Sequence, residues 1–256
     1  MKNSNKISAL LITYNEVNHI VDIIKNISFA DEIIIVDSFS TDGTFEKLLE
    51  FKNVTTIQRE FKNFADQRNF ALKQATHDWV LFIDADERIT DKLKTEIIKK
   101  TNSPTDIVAF MVKRLYFFKK KRIRFSGFQT DTTYRLFKNG SVTYIKDKIV
   151  HEMPEINGKS SMLKNPMLHF CFNSAVHYKE KMEHYASLKA LELYKKNKNA
   201  NMIHFVIRPI YKFITNYIFR LGFLDGKEGF QICYLSAYGV YYRYKELKKL
   251  TASSKI

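Results

Sequence analysis

The sequence lacks the residue patterns that identify several common classes of protein. Its 256 residues include two cysteines, Cys171 and Cys233, which supply neither a disulfide framework nor the paired spacing of a zinc site. No Gly-x-Gly-x-x-Gly follows the first apolar run and no Gly-Lys-Ser/Thr loop occurs, so the dinucleotide-binding and phosphate-loop signatures are missing. The cysteine content predicts a reducing compartment. The missing glycine motifs argue against a dinucleotide-binding or phosphate-loop protein.

Long apolar segments are missing as well. Residues 202–219 come nearest to a membrane span, but Arg208, Pro209 and Lys212 interrupt them. The N-terminal apolar run, residues 7–12, is too short for a secretory signal. We therefore expect a cytoplasmic protein that does not cross a membrane.

Acidic residues are too few to balance the basic ones. The sequence has 42 Lys and Arg against 27 Asp and Glu, which gives a formal net charge of +15. Such an excess predicts an anionic partner, which can be nucleotide phosphates, nucleic acid or an anionic membrane surface. With 45% hydrophobic residues over 256 positions, the chain can bury one large core and carry an appendage.

Strand and helix patterns alternate over the first hundred residues. Short apolar runs are separated by stretches whose apolar residues recur at helical spacing. This alternation predicts an α/β fold with a mostly parallel sheet and right-handed crossovers. The predicted strands lie at residues 7–12, 32–36, 53–58 and 79–83, and the predicted helices at 17–27, 45–49 and 64–76.

The last of these strands leads directly into acidic residues. Residues 79–83 are apolar and are followed by Asp-Ala-Asp-Glu. If the chain stays extended, Asp84 and Asp86 project from the same side, at the sheet edge where α/β proteins bind ligands. Two such carboxylates suit Mg²⁺ or Mn²⁺ beside substrate phosphates. The alternative is a solvated acidic turn that caps the next helix.

Polar residues near the ends of the earlier strands can meet in the same crevice. Tyr14 can flank a base, and Asp37 can accept a hydrogen bond from a ribose hydroxyl or a base N–H. Arg68 can pair with a diphosphate or hold an aspartate in place. Each residue also has a structural interpretation. Asn15 and Glu16 can simply open the first helix, Asp37 can cap a turn, and Arg68 can be a solvated helix residue.

Four motifs carry a family resemblance. They are Thr-Tyr-Asn-Glu, Val-Asp-Ser-x-Ser-Thr-Asp-Gly-Thr, Gln-Arg-Asn-x-Ala-Leu and Trp-Val-x-x-x-Asp-Ala-Asp-Glu-Arg, in that order. Over residues 6 to about 172 the chain resembles glycosyltransferase family 2. Phe-Leu-Asp-Gly-Lys-Glu-Gly-Phe at residues 223–230 is similar to the small bacterial lipopolysaccharide core glucosyltransferases of that family. The resemblance implies a GT-A fold and an inverting transfer from a nucleotide-activated sugar.

The resemblance also implies roles for individual residues. Asp84 would contact the ribose or Arg68, Asp86 would ligate Mg²⁺ or Mn²⁺, and His169 would complete the metal site. The alternative for His169 is a satisfied core histidine. Many relatives carry paired acids after the second strand, whereas this chain has Asp-Ser there. The implied nucleotide-sugar-binding residues are Ile12, Tyr14, Asn15, Glu16, Asp37, Arg68, Asp84 and Ala85.

The acceptor side must supply one general base, because a sugar hydroxyl is a poor nucleophile until a carboxylate takes its proton. Glu152 is the predicted base, since Val-His-Glu occupies the place where related enzymes carry their acceptor-side acid. Asp131 is the competing candidate, and a surface salt bridge is the structural alternative for Glu152. The same region predicts a β-hairpin of residues 132–138 and 141–145 around Asn-Gly.

The C-terminal part of the sequence changes character. Residues 173–256 predict a helical, basic-aromatic region attached to a catalytic domain at 1–172, whose halves, 1–100 and 101–172, serve the nucleotide sugar and the acceptor. Residues 195–256 contain twelve Lys and Arg against three acids. Such helices suit an anionic membrane surface, and the alternative is helices packed on the sheet with solvated lysines.

The resulting hypothesis is an inverting, metal-dependent hexosyltransferase at the inner face of the inner membrane. By resemblance it moves glucose from UDP-glucose to a lipopolysaccharide inner-core heptose or a similar lipid-linked saccharide. The nearer alternative is a family 2 enzyme acting on polyprenyl phosphate, a capsule glycan or a protein. A nucleotidyltransferase matches the loops less well. A non-catalytic nucleic-acid-binding protein lacks a recognition motif, so we expect no nucleic acid partner.

Overall fold

Near-continuous apolar runs form the parallel half of the sheet. Its strands follow the order β3-β2-β1-β4, and each neighbouring pair is parallel. Strands buried on both faces are expected at the centre of such a sheet. The predicted α/β architecture with a mostly parallel sheet is therefore confirmed. The strands are β1 (Ile7–Thr13), β2 (Glu32–Asp37), β3 (Thr55–Gln58) and β4 (Trp79–Phe82).

The computed structural model describes residues 5–145 and 154–253. It divides into two units. The first contains residues 1–114 and 131–169, and the second contains 115–130 and 170–256.

Four helices of the first unit connect its strands. The side chains of Asn63 and Thr90 cap two of them by accepting hydrogen bonds from backbone N–H groups of the first turn. The first helix buries isoleucines at helical spacing against the sheet. The helices are α1 (Val17–Asn26), α2 (Thr44–Leu49), α3 (Phe64–Gln74) and α4 (Asp91–Thr101).

Antiparallel strands extend this sheet beyond β4. The strand β8 (Thr132–Lys138) pairs with β4, and β6 (Ile107–Phe118) pairs with β8. The short strand β11 (Lys159–Met162) lies parallel to β6. Elsewhere in the unit, β5 (Glu87–Ile89) pairs antiparallel with β12 (Met167–Phe172).

The predicted hairpin around residues 139–140 is wrong in its pairing. Its turn forms, because Gly140 adopts a φ of +79° and Ser141 N donates to Lys138 O at 3.0 Å. Within the described residues, however, β9 (Val142–Tyr144) pairs with β10 (Pro154–Ile156) in a separate two-stranded sheet. The Asn69 side chain holds both the N–H and the carbonyl of Tyr144, at 2.9 and 2.7 Å, and thereby anchors β9 to α3.

The second unit is mainly helical. Residues 202–219 do not form one continuous helix, and the helix is interrupted between Phe205 and Ile207. Pro209 contributes to this break because it cannot donate a backbone hydrogen bond to the preceding turn. None of the helices among residues 5–145 and 154–253 combines the length and apolar character needed to cross a membrane. Its elements are β7 (Lys121–Ile123), α5 (Ala175–Lys195), α6 (Met202–Phe205), α7 (Ile207–Ile214), a π-helical turn (Thr215–Phe219), a 3-10 turn (Gly222–Asp225) and α8 (Gly226–Ser253).

The Phe-Leu-Asp-Gly-Lys-Glu-Gly-Phe motif has a structural role in this unit. The buried carboxylate of Asp225 accepts hydrogen bonds from the backbone N–H groups of Arg124 and Phe125, both at 2.9 Å, and from Ser126 Oγ at 2.8 Å. A carboxylate with three donors is satisfied despite its burial. The motif therefore fastens the loop after β7 to the start of α8.

Gly229 is expected to tolerate no side chain. A Cβ at this position would lie 2.1 Å from the Gly222 carbonyl oxygen, so the two backbones could not keep their spacing. We expect Gly229→Ala to lower the free energy of unfolding by roughly 3 kcal/mol, measured by urea denaturation. Gly239→Ala in the same helix is the control, since its Cβ would lie 3.3 Å from Met182 Cβ, a contact that a shift of a few tenths of an ångström relieves. A loss at Gly229 no larger than at Gly239 would contradict the close approach.

Candidate functional site

The acidic stretch after β4 forms a turn rather than a continued strand. The strand ends at Phe82, so the expectation that alternation alone aligns the two aspartates is wrong. The Glu87 carboxylate causes this, because its Oε2 accepts from Asp84 N at 3.1 Å while Glu87 N donates to Asp84 O at 3.0 Å. Arg88 Nη1 also donates to the carbonyl of buried Ala85, at 2.7 Å. Hydrogen bonds from Glu87 and from Arg88 thus hold the turn in place.

Asp84 lies between two arginines. Its Oδ1 is 2.9 Å from Arg68 Nη2, and its Oδ2 pairs with Arg135 Nη2. The same Arg135 nitrogen is 2.7 Å from Oε1 of Glu87, which is fully buried. Arg68 therefore holds an aspartate in place, one of the two roles considered for it, and its guanidinium also lies 4.6 Å from the centre of the Phe82 ring.

A third arginine extends this network. Arg114 Nη1 lies 3.6 Å from Glu87 Oε1, and Arg114 Nε donates to Asp131 Oδ2 at 2.6 Å. Acids and arginines alternate along the chain of contacts, so the buried charges compensate one another. In order, the members are Arg68, Asp84, Arg135, Glu87, Arg114 and Asp131.

The network keeps its central pair charged. Burial alone would raise the pKa of Asp84, but Arg135 and Arg68 hold that pKa well below its usual range. Burial would likewise lower the pKa of Arg135, yet Asp84 and Glu87 keep it above its ordinary value. Asp84 therefore stays a carboxylate at neutral pH, which suits a charge-positioning role better than proton transfer.

Asp86 and His169 face each other beside the network. The pairing of β5 with β12 sets His169 opposite Glu87, and His169 Nε2 lies 3.2 Å from Asp86 Oδ2. Carboxylate oxygen with imidazole nitrogen is a donor set that Mn²⁺ accepts, and Mg²⁺ also binds through one or two carboxylates plus substrate phosphates. No group of three or more His, Cys, Asp and Glu placed to hold a metal ion occurs among the described residues. By its chemistry the pair fits such an ion as two of its ligands.

The loops after β1 and β2 are tied together. Asn15, at a φ of +56°, accepts a hydrogen bond from Thr41 N through its Oδ1 at 2.8 Å. Glu16 N donates to Thr44 Oγ1 at 2.9 Å. Ile12 is half-buried near the end of β1. These contacts give Asn15 and the backbone of Glu16 a role in shaping the loops.

Asp37 and Tyr14 have opposite environments in these loops. Asp37 is fully buried, and its carboxylate accepts from Ser40 N at 3.0 Å and from Ser40 Oγ at 2.5 Å. Tyr14 is 58% exposed, and Phe39, which the sequence analysis did not select, is 53% exposed at a φ of +58°. The two loops therefore offer aromatic surface to a ligand, while Asp37 supports the loop that carries Phe39.

Three residues of the charge network were not predicted. Glu87, Arg114 and Arg135 were overlooked, although Arg135 stands within a strand whose following residues are buried. A cation flanked by apolar residues of a predicted strand indicates that an acidic partner lies nearby, but it does not identify that partner.

Of the two predicted bases, Glu152 lies outside the described residues. Asp131 lies within them and contacts Arg114.

Comparisons with known proteins identify relatives over nearly the whole chain. The model of glycosyl transferase family 2 matches residues 8–157. An uncharacterized glycosyltransferase of Rickettsia felis is 28% identical to this chain, covering 98% of it and 92% of its own length. The lipopolysaccharide core biosynthesis glycosyltransferase LpsC of Rhizobium meliloti is 27% identical, covering 93% of each protein.

A solved structure bears on the fold. The mannosyltransferase PcManGT from Pyrobaculum calidifontis, solved in complex with GDP-Man and Mn²⁺, matches 99% of this chain and 76% of its own, with a TM-score of 0.50 and 15% identity. At this identity the likeness concerns the fold alone. The expected GT-A fold with a helical C-terminal region is confirmed.

Proposed function

The chain belongs to glycosyl transferase family 2, and we propose that it transfers glucose from UDP-glucose to an inner-core heptose of lipopolysaccharide or a similar lipid-linked glycan. The family makes it a sugar-transferring enzyme. The name of its relative LpsC supports lipopolysaccharide core biosynthesis as the setting.

The single observation that carries this proposal is the pairing of the acidic turn with Arg68 and His169. Arg68 and Arg135 fix Asp84 so that its carboxylate can meet the ribose hydroxyls of a donor. Asp86 and His169, 3.2 Å apart, would hold Mg²⁺ or Mn²⁺ against the donor diphosphate. Such an ion, when bound, offsets the charge that develops on the departing nucleoside diphosphate.

The remaining donor contacts follow from exposure. Tyr14 and Phe39 present ring surface on neighbouring loops, which suits packing against a nucleobase. Ile12 and Ala85 would line the pocket, while Asn15, Glu16 and Asp37 would keep its loops in shape. In this arrangement the Asp37 carboxylate supports the uridine site by holding Ser40 and does not itself contact the base.

The transfer itself needs one proton acceptor. As the acceptor hydroxyl attacks the anomeric carbon, its proton passes to a carboxylate and the bond to the diphosphate oxygen breaks on the opposite face, which inverts the configuration. We assign the carboxylate to Glu152. Asp131 is the weaker candidate because its Oδ2 already accepts a 2.6 Å hydrogen bond from Arg114.

Substitution of the two acids tests this assignment. We expect Glu152→Gln to lower kcat by about a hundredfold to ten-thousandfold while the affinity for the nucleotide sugar is unchanged, because the base contacts only the acceptor. Asp131→Asn serves as the paired variant and is expected to lose far less. The opposite ranking in steady-state kinetics would transfer the role to Asp131.

A donor panel tests the function as a whole. The full chain is incubated with UDP-glucose, UDP-galactose and GDP-mannose, each with Mn²⁺, with Mg²⁺ and with chelator, and with a heptose-containing core lipid as acceptor. We expect transfer from UDP-glucose that requires metal and acceptor. Turnover of a different donor would overturn the donor assignment, and transfer to polyprenyl phosphate in place of the core lipid would overturn the acceptor assignment.

A further inference from the structure

The C-terminal unit exposes an unusual number of large apolar side chains within one short segment. Eleven of them lie between residues 202 and 224, and Phe219 is 77% exposed. Isolated exposed apolar residues are ordinary, but a concentrated set marks an interaction site. The set, named here the 202–224 surface, comprises Met202, Ile203, Val206, Ile207, Ile210, Tyr211, Ile218, Phe219, Leu221, Phe223 and Leu224.

The same segment also has a half-buried face, whose aromatic side chains contact α8. Phe205 meets Tyr241 of α8 at a ring separation of 6.0 Å. Phe213 stacks on Tyr217 at 5.1 Å, and both rings lie 5.8 Å from Phe230 of α8. A helix that is apolar on its packed face and again on its outer face is expected only where something other than water covers the outside.

The charge of the segment indicates what covers it. Between Glu192 and Asp225 the sequence contains six Lys and Arg and no acidic residue. Arg208 and Arg220 are exposed among the apolar residues of the surface, and Lys195, Lys196 and Lys198 are exposed just before it, whereas Lys212 is half-buried. An apolar face with cations suits the boundary between the head groups and the acyl chains of an anionic bilayer.

We propose that the 202–224 surface docks this protein on an anionic phospholipid membrane, with its apolar side chains entering the interface and its cations meeting lipid phosphates. The proposal deepens the proposed function, on which the lipid-linked nature of the acceptor rests. Docking would confine the enzyme to the membrane that carries its acceptor and replace a search in three dimensions by one in two. It requires no membrane-spanning segment.

Vesicle co-sedimentation of the full chain tests the proposal. We expect vesicles of phosphatidylcholine with phosphatidylglycerol to bind the protein more than tenfold tighter than phosphatidylcholine alone. Ile210→Glu combined with Phe219→Glu is expected to weaken that binding by roughly tenfold or more, because two apolar anchors are lost and two anionic groups are added. Raised salt should weaken the remaining binding further.

A matched control makes the same chemical change elsewhere. Leu49 and Val176 are 63% and 65% exposed but lie outside the 202–224 surface, so Leu49→Glu with Val176→Glu should leave vesicle binding unchanged. Equal loss in both double variants, or no binding of the wild type to anionic vesicles, would overturn the proposal. So would a wild-type dimer in light scattering that Ile210→Glu with Phe219→Glu makes monomeric, since a second copy would then cover the surface.

Failure of docking and failure of the proposed function are separable in this design. Vesicle binding requires neither a sugar donor nor an acceptor, and hydrolysis of the nucleotide sugar in water requires no membrane. We expect the Ile210→Glu, Phe219→Glu variant to keep wild-type donor hydrolysis. If vesicles bind but no nucleotide sugar reacts, the proposed function fails and the docking surface stands.

Discussion

Asp86→Ala is expected to lower sugar transfer by roughly three orders of magnitude, about 4 kcal/mol of transition-state stabilisation, without unfolding the protein. The Asp86 side chain is 17% exposed, and hydrogen bonds made by Asp84, Glu87 and Arg88 fix its turn, so we expect the variant to fold. Its loss would take away the carboxylate that we propose as a metal ligand beside the leaving diphosphate. The measurements are transfer kinetics and circular dichroism on the same preparation.

A nearby carboxylate provides the control for this prediction. Asp91 is exposed at the start of α4, and we expect Asp91→Ala to transfer sugar at the wild-type rate. Binding of Mn²⁺ in the presence of UDP, followed by electron paramagnetic resonance, separates a metal-binding role from a purely structural one. Full Mn²⁺ binding by Asp86→Ala would show that this aspartate does not hold the ion.

The sequence was sufficient to predict those parts of the site that depend on sheet topology. Parallel strands end at one edge of a sheet, so the residues after β1, β2 and β4 could be grouped before any coordinates were known. Arg68 was correctly considered as a support for an aspartate, since a guanidinium matches a carboxylate in geometry. The resemblance to the family supplied the expectation for His169, which does lie beside Asp86.

The parts that were missed depend on contacts distant in sequence. Glu87 folds back on the backbone of Asp84 and meets Arg135, 48 positions further along the chain, and neither contact leaves a periodic signal. Likewise, β9 was assigned to a hairpin because local turn chemistry favours one, whereas the side chain of Asn69 anchors it elsewhere. Side-chain pairing of this kind overrides local propensity and requires the tertiary structure.

Exposure is the other property that the sequence could not provide. Alternating aromatic and basic residues in the C-terminal segment fitted two interpretations, a membrane surface and helices packed with solvated lysines. The structure divides the residues between two faces, since Phe213 and Tyr217 are half-buried against Phe230 of α8 while Ile210 and Phe219 are exposed. Both interpretations rest on the same composition. The exposure of individual residues is what identifies which side chains a substitution should change.

Arg135→Met is expected to cost about 3–5 kcal/mol of folding free energy, because it leaves the carboxylates of Asp84 and Glu87 close together without the cation between them. Glu87 is fully buried and cannot turn to water. The cost should appear as a lower urea midpoint in circular dichroism. Sugar transfer should fall as well, since Asp84 would lose one of the two arginines that orient it.

Two comparisons isolate the cause of that loss. Arg59→Met removes a half-buried arginine of the same unit that pairs with Asp66 at 2.6 Å and donates to Gln67 Oε1 at 2.6 Å. We expect a smaller cost of about 1–2 kcal/mol, because it leaves one carboxylate without its cation instead of two. Adding Glu87→Gln to Arg135→Met should restore part of the stability, because one of the two stranded charges is removed. Two outcomes would contradict this account: Arg135→Met costs no more than Arg59→Met, or Glu87→Gln restores no stability. In either case the buried carboxylates do not depend on Arg135, and the backbone hydrogen bonds alone keep the acidic turn rigid.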